Sequence, residues 1–127
     1  MGVVFCFCLM EGCRASNHFR AGIQSENPGD RILAIHAAGE ARDRQSVPLL
    51  VDRLEDEDDG VRFFAIQALE KITGQRFGYE YTKPSPLRGR AVEKWRDYVR
   101  NGMHVVSDGH TDGNVGAEAV GSASLLK

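Results

Sequence analysis

The sequence predicts an all-α chain: a short α-solenoid of two to three stacked helical hairpins, about five helices in all. Three observations predict it. Arg31-x-x-Ala34-Ile35-x-Ala37 recurs as Arg62-x-x-Ala65-Ile66-x-Ala68, an offset of 31 residues, and self-similarity at a period of that size means stacked repeats. Each copy sits on a helical apolar pattern with a capping residue in front of it. Ala34, Ala37, Ala65 and Ala68 are small enough to let helices approach closely. A lone hairpin cannot bury both faces of its inner helix, whereas a second hairpin laid against it covers one, at ~25 cal/mol per Å² of apolar surface removed from water.

The elements follow in order. Ser16 or Asn17 is placed to cap a first short helix with Phe19 and Ile23 at i, i+4 on one face. Asn27 then caps a second, with Pro28 at its first position, where a missing N–H costs nothing. Ile32, Leu33, Ile35, Ala37 and Ala38 give that helix an apolar surface broader than one stripe, as for a helix sandwiched between neighbours. A turn near Asp43 leads to Ser46, a cap candidate for a helix with Val47, Leu50, Val51 and Leu54 at i, i+3, i+4, i+7 and with Pro48 tolerated in its first turn. Asp58 and Asp59 belong to the start of the next helix, because carboxylates are favoured at a helix N-terminus. That helix places Val61, Phe64, Ala65, Ala68, Leu69 and Ile72 on one face and Phe63 and Ile66 on another, and Gly74 is its C-cap. Residues 75–89, with Pro84, Pro86, Gly78 and Gly89, read as an extended loop. A final helix over about residues 88–100 aligns Leu87, Ala91, Trp95 and Tyr98.

At these residues the chain resembles the HEAT-repeat family, including the short HEAT-like repeats of phycobilisome lyases. The family's unit is a first helix, often with a proline, then a tight acidic turn, then Val-Arg and a second helix rich in Ala and Leu. The stretch VPLLVDRLEDEDDGVRFFAIQALEKITG follows that unit throughout. The resemblance covers residues 16–101, and its third copy is incomplete, with only the Trp95 helix present. It implies a ladder of hydrogen bonds between neighbouring repeats, with Asp58 or Asp59 and Arg62 in the matching places and Asp30 and Arg31 as a looser copy.

Outside that region the two ends read differently. Residues 3–10, VVFCFCLM, are apolar but too short to span a bilayer as a helix. With Gly12 just before Cys13 they resemble a bacterial lipoprotein signal, which implies a lipidated Cys13 at the start of the mature chain and a place in the cell envelope. No Lys or Arg precedes the run, and Glu11 departs from the usual small apolar residue. The other reading is a cytoplasmic chain whose apolar tail packs on the first helix. From residue 102 to 127 periodicity is lost and glycines recur, so a disordered tail is expected.

Composition narrows the function. At 127 residues, 42% hydrophobic and 27% charged, with a formal net charge of -2, the chain is an ordinary single domain that calls for no nucleic acid. All three cysteines lie in the first thirteen residues and no Cys-x-x-Cys is paired with histidines, so no zinc site is expected. The acidic run is not a calcium loop, because with Gly60 sixth the twelfth position is Ile66 rather than Glu. No phosphate loop, nucleophile motif or dinucleotide fingerprint is present, so neither a cofactor nor a catalytic constellation is expected. The function that remains is a non-catalytic protein-interaction or scaffold module. Its candidate partner surface is Phe77, Tyr79 and Tyr81 in the aromatic loop with Arg88, Arg90 and Lys94 on the basic helix, although Phe77 and Tyr79 equally suit a cover over the open end of the stack. Self-association through that open end is a further expectation. The alternatives are an accessory subunit of a lyase-like enzyme and a weak nucleic-acid binder through the basic helix, which Glu93 and Asp97 interrupt.

Overall fold

The computed structural model describes the backbone of residues 11–104 and the side chains of residues 17–104. The apolar run 3–10, the Cys13 side chain and the tail from residue 105 lie outside the described residues. The chain divides into two compact units, residues 1–97 and 98–127. The second is described only over residues 98–104, the end of the last helix and a turn closed by the Met103 N–H on the Tyr98 carbonyl.

The first unit is all α among its described residues. Helix α1 (Glu11–Ile23) and α2 (Pro28–Glu40) form one hairpin; α3 (Val47–Asp52) and α4 (Asp59–Thr73) form the next; α5 (Ser85–Arg100) follows a ten-residue-scale loop. Short 3-10 turns flank α3 at Arg44–Ser46 and Arg53–Glu55. Helix α2 packs on both α1 and α4, and α3 packs on α4, so the two hairpins are stacked through their second helices.

Local chemistry sets the boundaries. The Asn27 side chain accepts from the Gly29 N–H at 2.8 Å and Pro28 occupies the first turn of α2. The Asp58 carboxylate accepts from the Val61 N–H at 2.9 Å to start α4, and Gly74, at φ 74°, stops it in the left-handed conformation. Helix α1 begins at Glu11, not at Ser16 or Asn17; Asn17 is a helix-interior residue whose side chain accepts from Arg20. Ser46 also does not cap. It is fully buried and its hydroxyl donates to Asp43 Oδ2 at 2.6 Å, while Asp43 itself accepts the Gln45 N–H. The acid takes the role because its two oxygens satisfy the turn and the buried hydroxyl together.

Ile23, Ile35, Val47, Leu50, Leu54, Val61, Ile66 and Leu69 are inaccessible to solvent and form the core between the hairpins. Burial of each aliphatic side chain of this size contributes about 1.5–3 kcal/mol. The α2–α4 contact is tight: a Cβ added at Gly39 would lie 3.0 Å from the Ala68 Cβ. Helix α5 begins three residues earlier than the sequence suggests and buries Ala91, Val92 and Trp95, whereas Leu87 is half exposed.

Candidate functional site

The acidic turn and the two repeated arginines fix the geometry on which any surface is built. Arg31 Nη1 donates to the carbonyls of Ser25 and Glu26, both at 2.9 Å. Arg62 Nη1 donates to the carbonyls of Asp56 and Glu57, at 2.7 and 2.9 Å. Acceptors and donors are each displaced by one repeat, so the arginine reads the turn before its own helix in both copies. The connection between copies runs through Asp56. Its Oδ1 accepts from Arg31 Nη2 at 3.0 Å and from the Asp58 N–H, and its Oδ2 accepts from Arg53 Nη1 at 3.1 Å. That side chain is only 4% exposed. The bridging carboxylate is therefore Asp56, two residues before the Asp58 or Asp59 that the family resemblance implies. Asp58 is engaged by the Val61 N–H, one of the orphan donors at the start of α4, and Asp59 is exposed in its first turn. Asp30, also exposed, accepts from the Ser25 hydroxyl at 3.3 Å and, among the described residues, is not in the bridge between repeats. Arg62 carries the ladder one step on, its Nε donating to the Tyr81 carbonyl at 3.3 Å.

The residues expected on the partner surface separate into three kinds. Tyr79 is fully buried and its hydroxyl donates to the Leu54 carbonyl, so it covers the stack rather than facing a partner. Burial raises its phenol above the ordinary value. Phe77, half-buried at φ 51°, sets its ring edge-on to Trp95 at a centroid distance of 4.8 Å. Arg88 is half-buried and donates to the Lys83 carbonyl. Arg90 and Lys94 are exposed on α5. The basic helix is partly neutralised within the fold, since Arg96 bridges Glu93 and Glu55. Hydrogen bonding to Glu93, and then to Glu55, raises the Arg96 pKa further. Of the expected set only Tyr81 joins a larger surface.

That surface is a row of rings. Tyr81 meets Phe63 at 5.1 Å, Phe63 meets Phe64 at 5.4 Å, and Phe64 meets His36 at 6.1 Å, each pair edge to face. The row crosses from the loop after α4, over α4, to α2. Phe63, Phe64 and Tyr81 are half-buried, and the His36 side chain is 56% exposed. Phe63 and Phe64 are consecutive on one helix, so both cannot enter the core. The sequence carried that signal: Val61, Ala65, Ala68, Leu69 and Ile72 already fill the buried face of α4, leaving two phenylalanines in excess. Charges border the row. Lys71 pairs with Glu40 across the two repeats, and His36 Nε2 lies 3.7 Å from the same carboxylate. The hydrogen bond from Lys71 holds the Glu40 carboxyl below its ordinary range. Such a surface accepts apolar side chains between charged edges; among the described residues no group of three or more His, Cys, Asp or Glu is placed to hold a metal. No described helix is long and apolar enough to cross a membrane.

A family model described as HEAT repeats matches residues 16–104, more than half of the chain. No curated protein and no solved structure gives a significant match.

Proposed function

The chain belongs to the HEAT-repeat family, and from that premise we propose that it is a non-catalytic protein-interaction module whose contact surface is the row His36, Phe64, Phe63 and Tyr81. The observation that carries this reading is the row itself: four rings from two repeats and the following loop touch in sequence yet stay partly open to water. Aromatic side chains offer large apolar area at little conformational cost, which is why they are enriched at interface centres. The Glu40–Lys71 pair at the edge supplies a polar rim. The partner that fits is a protein segment presenting apolar side chains.

The test is site-specific photo-crosslinking of the full chain in its native cells, with benzoylphenylalanine in place of Phe64 or of Lys94. A discrete adduct at position 64, absent at 94 and lost when Phe63 is changed to Ser, supports the reading. No adduct at 64, or the same adducts at both positions, overturns it.

A further inference from the structure

The charges around the aromatic row are unevenly placed. Near the rings they cancel in pairs: Lys71 with Glu40, Arg76 with Glu70, and Lys83 with Glu80. At the turns that start α2 and α4 they do not. Glu26 and Glu57 are repeat-equivalent, 31 residues apart, and both are exposed. The carbonyl of each accepts from its own repeat's arginine at 2.9 Å, Arg31 for Glu26 and Arg62 for Glu57, so the two turns are fixed alike and each carries a glutamate at the matching place. Asp59 is exposed too and stands one helical turn before Phe63, and residues at i, i+4 are neighbours on a helix surface. Among the described residues Glu26, Glu57 and Asp59 form no ion pair. Arg62 offsets one charge there, but its guanidinium is taken by the carbonyls of Asp56, Glu57 and Tyr81.

Given that the row is the contact surface, we propose that the protein segment lying on it is basic as well as apolar. Its apolar side chains cover Phe63 and Phe64, and a Lys or Arg beside them pairs with Asp59 and Glu57. The same charges fix which end of the segment is basic. Lys71, and Arg42 which donates to the Lys71 carbonyl, stand toward the far end of α4, ~18 Å from Asp59 at ~1.5 Å per residue. That exceeds two Debye lengths of about 8 Å each at physiological salt, so these cations leave the acidic edge in force. Glu57 also lines, with Asp52, an open cleft of about 320 Å³ whose arginines, Arg31 and Arg53, are already tied to Asp56. A cation that enters it meets two carboxylates with no ion-pair partner among the described residues. An anionic lipid surface or a nucleic acid is disfavoured at this edge, because its phosphates would face like charge.

The experiment selects phage-displayed random peptides, about sixteen residues long and so able to run the length of α4, on the full chain. The selected peptides are synthesised with a fluorescent label and titrated by anisotropy. Those that contact the row should bind the Phe63→Ser protein roughly tenfold or more weakly, and in them Lys and Arg should outnumber Asp and Glu. The protein carrying Glu57→Lys and Asp59→Lys should also bind them roughly tenfold or more weakly. Raising sodium chloride from about 0.05 to about 0.5 M should weaken binding to the parent in the same direction. Glu57→Gln with Asp59→Asn, which keeps the side-chain shapes, should give a smaller loss of the same sign, and circular dichroism checks that each protein is folded. Row-dependent peptides with no basic excess, or indifferent to the charge reversal, overturn the proposal and leave the row as the contact surface. If no peptide depends on Phe63, the row itself falls and the proposal with it. Binding to phosphatidylserine vesicles that is lost in Phe63→Ser overturns it as well.

Discussion

Asp56, Asp58 and Asp59 stand within four positions of one another and have three different duties. Asp56 is nearly inaccessible and accepts from two arginines and a backbone N–H. Its removal strands Arg31, whose side chain is 12% exposed, without its carboxylate. Asp56→Ala should therefore cost about 3–5 kcal/mol, the range for breaking a buried pair. Asp58→Ala removes a cap and should cost about 1 kcal/mol. Asp59→Ala, at an exposed position, should fall within about 0.5 kcal/mol of the parent. Urea melts of the three variants check the order, and an Asp59 variant as damaging as Asp56 would refute this assignment. Tyr79 gives a pH-dependent counterpart. Burial raises its phenol above 10.0 in the folded chain, while the unfolded chain ionises it near that ordinary value. Its contribution to stability is then complete below about pH 10 and is lost as pH rises through the raised value. Tyr79→Phe should abolish this alkaline loss. At neutral pH it should cost about 1–3 kcal/mol, because the Leu54 carbonyl loses its donor. Melts at pH 7 and pH 10.5 separate the two effects.

Elements were legible where a cap and a helical apolar pattern coincide. Asn27 and Pro28 announce α2, and Asp58 and Gly74 bracket α4, because each solves a backbone problem that only a few residue types solve. The start of α1 was not legible, since a polar stretch around Ser16 and Asn17 suits a cap and a helix surface alike. Nor was the fate of the aromatic loop. Prolines and glycines mark where the chain turns, not which ring folds under it, and only the need to cover a terminal repeat pointed to Tyr79. The ladder acid was misplaced for a related reason: every residue from Glu55 to Asp59 is acidic, so spacing alone could not tell cap from bridge. The α2–α4 contact shows how far sequence does speak, through its small residues. Gly39→Ala adds roughly 1 kcal/mol of helix propensity. It also sets a Cβ 3.0 Å from the Ala68 Cβ and 3.1 Å from the Ala68 Cα, a backbone atom that cannot step aside. The larger Gly39→Val should destabilise by about 1–3 kcal/mol. A double-mutant cycle with Ala68→Gly should recover at least about 0.5 kcal/mol, whereas additive effects would show that the two helices do not meet there.

Stacked repeats are held as a series, in which each hairpin has an intrinsic stability and each interface adds a coupling term. Within the first unit α1 and α2 make one hairpin, α3 and α4 the other, and the coupling passes through α2 against α4, the Arg31–Asp56 bridge and the Lys71–Glu40 pair. The hairpins are not equal. Helix α4 has Val61, Ala65, Ile66, Ala68, Leu69 and Ile72 buried, and Tyr79 in the following loop is buried as well; among the described side chains of α1, Ile23 alone is fully buried. The first hairpin thus depends on the coupling more than the second does. This sets a pattern for native-state hydrogen exchange. In the parent protein the coupling should make α2 and α4 open together, with the slowest amides in the buried stretch of α4. Gly39→Val acts chiefly at the interface, because the helix propensity it adds to α2 is less than about 1 kcal/mol. It should lower the opening free energy across α1 and α2 by the full loss of coupling, while α4 loses less, and the single exchange step should split in two. Equal losses in both hairpins would mean that the molecule opens as one unit, and that stability is not divided along the repeats.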